Sequence, residues 1–215
     1  MNRLKVVAIC LIAGSALPAT AQVVPAELPE SPPAWAVPIA ERNAALAYHR
    51  AWSIAGRVID MISDRSVELE SWAIPEGSRI ESMLVDHQEG ITDLIEATTI
   101  ADVDWQTPYD QGVGAALPHL QQMRKSARVL AADAARLARD GDIDGASTRL
   151  AAIYDLARHA STDHVVISSL VGIAIGEFAS ERVDELLDRG QLTADARGRL
   201  LAAIDRLDAD DPFRA

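Results

Sequence analysis

From Ile39 onward the periodicity is helical almost everywhere, apolar residues recurring at steps of three and four, a spacing that restricts the chain to helices. Ala45, Tyr48, Trp52, Ala55, Ile59 and Ile62 make one continuous stripe of helical period. Ile80, Leu84, His87, Ile91, Leu94 and Thr98 make a second after a break at Pro75. Leu120, Met123, Ala127, Leu130, Ala134 and Leu137 make a third, opened by Pro118, whose fixed φ and missing N–H suit a first helical turn. Gly141 closes that helix, and Ile143, Ala146, Leu150, Ile153 and Ala157 begin a fourth. Thr162 or Asp163 can cap a fifth that runs to Gly190, and Thr193 a sixth with Leu200, Ile204 and Leu207 facing inward. No stretch alternates as a half-buried strand does. The expected fold is all-α, an antiparallel array of about six helices.

Two segments refine this expectation. Around Gly141 a glycine closes one helix and a small residue, Ala146, follows five positions later with Leu150 beyond it. That arrangement is similar to the turn of a tetratricopeptide hairpin, although one unit does not make a repeat array. The fifth helix starts with Val165 to Ile175, apolar nearly all round, and Ser168, Gly172, Gly176 and Ser180 fall four apart as a flat stripe for close helix contact. The run is too short to span a bilayer and Glu177 interrupts it, so a buried central helix is expected.

The N-terminus carries a targeting pattern. Asn2-Arg3-Leu4-Lys5 is a short basic region, Val6 to Ala16 an apolar run of signal length, and Ala19-Thr20-Ala21 a small-x-small cleavage site. The chain then divides into a signal peptide over 1–21, a proline-rich linker over 22–38 and one helical domain over 39–215. An exported protein, periplasmic or extracellular, is expected. Cys10, the single cysteine, lies inside the apolar run, so the exported chain has no disulfide and no thiolate ligand or nucleophile. Loss of Arg3 and Lys5 takes the formal charge from −12 to −14. Such a surface disfavours nucleic acid, whose phosphates need a basic face. Lys125 is the one lysine after the signal, and the arginine- and alanine-rich composition gives no single arginine special weight.

Candidate chemistry is sparse. Asp155, His159 and Asp163 are spaced i, i+4, i+8 with His164 adjacent, a pattern that could hold a divalent metal on one helical face. The helix is expected to end between His159 and Asp163, which weakens that reading, and Asp163 has a sufficient role as a cap. His87 sits on an apolar stripe, where a satisfied core histidine is the plain reading. Glu177 is a carboxylate in an apolar helix: buried it would be perturbed, and otherwise it points outward or pairs with an arginine such as Arg182. Asp102 to Leu117 is the most informative non-helical stretch, and with Asp104, Trp105 and Tyr109 ahead of His119 it is the candidate binding region. Alternatively, Trp105 and Tyr109 plug the end of the bundle. Di-iron, zinc-protease, serine-hydrolase and phosphate-loop patterns are absent, and no cofactor is expected.

Asn43-Ala44-Ala45 with Tyr48, Asp104-Trp105 ahead of Gly112, Leu117-Pro118-His119-Leu120 with Arg124, Gly141-Asp142 and Leu170 to Ile175 occur in this order. Over roughly residues 43–190 the chain resembles an uncharacterised group of exported helical proteins from bacteria with large, GC-rich genomes. The resemblance implies that Asp104, Trp105, His119 and Gly172 are family features and transfers no catalytic role. Val103 stands where relatives are expected to carry cysteine, which argues against an essential metal or redox role there.

The function expected from these features is binding or scaffolding in the cell envelope, with a protein or peptide partner. The alternative is a hydrolase or metal-dependent enzyme using some of Glu177, His119, His159, Asp163 and His164, which requires them to converge. A purely structural subunit is the third reading.

Overall fold

The computed structural model of the chain describes residues 43–64, 74–110, 116–163 and 165–209. The signal peptide, the linker and His164 lie outside these residues. Among the described residues the protein is all-helical with no strand: α1 (Ala44–Asp64), α2 (Arg79–Asp86), α3 (Gln88–Thr98), α4 (Pro118–Arg139), α5 (Ile143–Ala160), α6 (Val166–Asp188) and α7 (Ala194–Ala209).

The extra helix comes from a break in the second apolar stripe. His87, at φ −113° and ψ 23°, belongs to neither α2 nor α3. Its N–H donates to the Met83 carbonyl at 3.1 Å, and its Nδ1 reaches the same oxygen at 2.9 Å. The first of these is the regular helical bond, but the next carbonyl, Leu84, accepts from the Gln88 side-chain amide at 2.9 Å, so side chains meet the last carbonyls of α2 and the axis can redirect. The new direction brings Gly90 of α3 against α1, where a Cβ would sit 2.8 Å from Ala55 Cβ and 2.9 Å from its backbone nitrogen. Only glycine permits that approach.

α5 is the central helix, packed against α4, α6 and α7 and touching α3. Leu150, Ile153 and Leu156 are fully buried, each contributing about 1.5–3 kcal/mol by the area it removes from water. Its abundant alanines let neighbours close in from every side. The α4–α5 turn is made by Gly141, at φ +87°, followed by Asp142, whose carboxylate accepts from Gly145 N–H at 2.8 Å as the cap of α5. Buried Asp133 of α4 fastens three helices, accepting from Arg136 of its own helix (3.0 and 2.7 Å), Arg149 of α5 (3.0 Å) and Gln88 of α3 (3.1 Å). Four donors leave this desolvated carboxylate fully satisfied.

The central position expected for α6 is corrected. It lies on the periphery, turning Ser168, Gly172 and Gly176 inward and leaving large apolar side chains outside. The small stripe does make the close contact: a Cβ at Gly172 would stand 2.8 Å from the Ala157 carbonyl of α5. Ser180 is exposed at the far end of the stripe, its hydroxyl donating to the Gly176 carbonyl and meeting Tyr154 Oη at 3.0 Å. The cap of α6 is also corrected. Val165 occupies that position without a side-chain bond, because the Asp163 carboxylate is engaged elsewhere. Thr193 caps α7 as expected, accepting from Ala196 N–H at 3.1 Å.

Candidate functional site

The segment after α3 is pinned at both edges before it reaches the core. Asn43 clasps it by donating to the Asp104 carbonyl (3.2 Å) while its own side-chain oxygen accepts from Asp104 N–H (2.9 Å). Asp104 then accepts from Gln106 N–H at 2.9 Å, a local turn that stabilises the left-handed φ of +53° at Gln106. Asp104 is therefore exposed and its carboxylate serves the turn. The consequence is that Trp105 is driven inward.

Trp105 is the hub of an aromatic assembly. It stacks on His119 of α4 at 4.5 Å and 9°, on Trp52 of α1 at 6.0 Å and 8°, and on Tyr48 at 5.7 Å and 22°. Its indole N–H donates to the His159 carbonyl of α5 at 3.1 Å. Offset stacks of this kind add about 0.5–1.5 kcal/mol each beyond area burial. One loop side chain thus binds three helices together.

Asp163 holds the rest of the loop. It accepts from the Thr107 hydroxyl at 2.9 Å and the Tyr109 hydroxyl at 3.0 Å, and its Oδ2 lies 2.9 Å from His119 Nε2, off the line of a good hydrogen bond. His119 and Asp163 are both buried. Burial pulls the His119 imidazole below its ordinary pKa, and Asp163 works against that by favouring the cation. Tyr109 remains half exposed, the outermost group of the cluster.

The proposed metal face is divided among other partners. Asp155 is held by Arg206 of α7 through two bonds of 2.8 and 2.7 Å. His159 is fully buried, with Nδ1 2.9 Å from Tyr48 Oη and Nε2 2.7 Å from an Arg158 nitrogen. Arginine has only donors, so Nε2 accepts and the imidazole proton belongs on Nδ1. Desolvation, then the adjacent Arg158 charge, lower the His159 pKa to about 3. Desolvation likewise raises the Tyr48 phenol. Among the described residues no three His, Cys, Asp or Glu side chains are grouped to hold a metal ion. Glu177 is not buried but points outward, as its simplest reading had it: it is exposed on the outer line of α6, and Arg182 pairs instead with Glu185 at 2.7 Å.

His119, Asp163, Trp105, Tyr109 and His159 therefore meet around one loop, whereas Asp155 and Glu177 serve other places. Sequence reading missed Thr107, Tyr48 and Arg206 as partners, since no spacing signals a contact between distant elements. It also missed the outer face of α6. Val166, Ile167, Leu170 and Ile173 are 70, 55, 59 and 49 % exposed there. The signal was present in the carboxylates at 177, 181, 184 and 188, which continue the same line and mark it as solvent-facing. Beyond them lies a groove of about 350 Å³ between α5, α6 and α7, lined by Tyr154, Val183, Asp184, Leu187, Leu200 and Leu201 among others. No helix among the described residues is long and apolar enough to cross a membrane. No protein-family model, curated protein or solved structure matches the chain.

Proposed function

We propose that this is an exported binding or scaffolding protein of the bacterial cell envelope, acting on a protein or peptide partner. The observation that carries the reading is the outer face of α6. Four large apolar side chains, each 49 % exposed or more, stand within eight consecutive residues of a helix whose inner face is already packed. Contiguous exposed apolar surface on a folded domain marks an interaction site. The signal-like N-terminus supports export. The helical hairpins supply a rigid support, in the manner of the helix-pair proteins that one turn resembles. Affinity recovery from envelope extracts tests this, comparing the wild type with the Leu170→Asp, Ile173→Asp variant. A partner retained by the wild type and lost by an equally folded variant is the expected result. Recovery of nothing above an unrelated exported control defeats the reading.

A second reading, general acid–base catalysis, is favoured by the buried His119–Asp163 pair beside the half-exposed Tyr109. It requires hydrolysis of some ester or amide that His119→Gln removes without loss of fold. Activity indifferent to that substitution ends it.

A further inference from the structure

The outer line of α6 changes character along its length. Val166, Leu170 and Ile173 are exposed and apolar, and steps of four and three residues place them on one side of the helix. The same line continues through Glu177, Glu181, Asp184 and Asp188, all exposed. Glu177, Asp184 and Asp188 form no ion pair among the described residues, and Glu181 comes only within 3.9 Å of Arg182. At 1.5 Å per residue the apolar part runs about 10 Å and the acidic part about 16 Å. Asp184 also lines the groove beside Leu187 and Leu201, so the acidic part adjoins apolar surface.

We propose that this face docks a helical segment with a complementary profile, an apolar stripe continued by arginine or lysine residues at three- and four-residue spacing. The inference rests on the binding reading above and names the chemistry of its partner. Charge complementarity selects this occupant over the others. A second copy laid antiparallel along the whole length of α6 would set carboxylates against Val166 and Leu170. A parallel arrangement would oppose carboxylate to carboxylate, which is destabilising. An anionic membrane surface would be repelled by the same four carboxylates. A basic helix meets apolar surface with apolar surface and satisfies the carboxylates, and the formal charge of −12 on the chain steers it in. The contact is wet at its acidic end, so its strength falls with salt.

The test uses the full chain and a labelled synthetic helix of 21 residues, with leucines at three- and four-residue spacing in one half and arginines in the other. Fluorescence anisotropy is recorded at 50 and 300 mM sodium chloride. Expected is saturable binding that weakens on the order of tenfold with Glu181→Gln and Asp184→Asn combined, summing modest exposed pairs. The Leu170→Asp variant abolishes it, and Glu181→Arg with Asp184→Arg transfers preference to a helix with glutamates in place of the arginines. Binding that needs Leu170 but ignores charge overturns the partner chemistry and leaves the binding reading intact. Self-association in sedimentation that Leu170→Asp dissolves makes a second copy the occupant. Capture by anionic vesicles that Leu170→Asp abolishes makes it a lipid surface. Indifference of every readout to Leu170 overturns the inference and the binding reading together.

Discussion

Lowering the pH from 7 to 5 should destabilise this protein through His159 in particular. The imidazole is fully buried, its Nε2 facing Arg158 and its Nδ1 facing Tyr48. Protonation would place a second cation beside the guanidinium with no water to share the field, which is why the folded pKa falls to about 3. In the unfolded chain the group returns to the ordinary histidine value of about 6.5. The unfolded state therefore binds the proton first, and folding stability declines as pH falls below about 6.5 until the folded pKa is reached. The slope approaches 1.4 kcal/mol per pH unit, so about 2 kcal/mol is lost by pH 5. Carboxylates titrate lower and overlap only at the acid end. The assay is urea unfolding at pH 7, 6 and 5 for the wild type and for His159→Gln, which cannot titrate. The variant is less stable at pH 7, since it disturbs Tyr48 and Arg158, but its curve is flatter. His119, also held below its ordinary pKa by burial, contributes a similar slope to both proteins and cancels in the difference. Equal slopes in the two proteins would show that His159 does not carry the dependence, and the burial argument would be refuted.

Two further predictions rest on other contacts. Gly172→Ala puts a methyl 2.8 Å from the Ala157 carbonyl, backbone that cannot rotate away, so α6 must shift outward. A loss of about 1–3 kcal/mol in chemical unfolding is expected, and an unchanged midpoint would mean that the α5–α6 contact is looser than drawn. Asp163→Asn weakens the acceptor shared by Thr107 and Tyr109 and changes the carboxylate beside His119. Amide exchange across residues 104–110 should accelerate by roughly tenfold, a cost of about 1–2 kcal/mol, while exchange in α5 stays slow. Exchange that is unaltered in the loop removes Asp163 as its anchor.

Local rules account for much of the architecture, and their limits are instructive. The 3–4 spacing located helices because each turn has one face to bury, so Tyr48, Ile59, Leu130 and Leu150 lie in the core with the stripes that announced them. Pro118, Gly141 and Thr193 mark helix ends by geometry intrinsic to a single residue and its near neighbours. His87 escaped this logic: its apolar register is unbroken, and the break arises where the His87 and Gln88 side chains take carbonyls of α2, which periodicity does not register. α6 escaped for a different reason. A segment apolar on every side does not say which side is inward, and the choice fell to Ser168, Gly172 and Gly176, because only small residues let α5 approach.

By itself, then, the sequence determined the helical class and the helix ends at Pro118, Gly141 and Thr193, along with the loop that holds Trp105, because these depend on contacts within a few residues. Tertiary structure alone decided the fate of the polar groups. Asp163 abandons a cap for Thr107, Tyr109 and His119, His159 is neutralised by burial against Arg158, and Asp155 goes to Arg206. A charge or imidazole takes the nearest partner once water is gone, and partners more than 50 positions away become near only after the helices have packed.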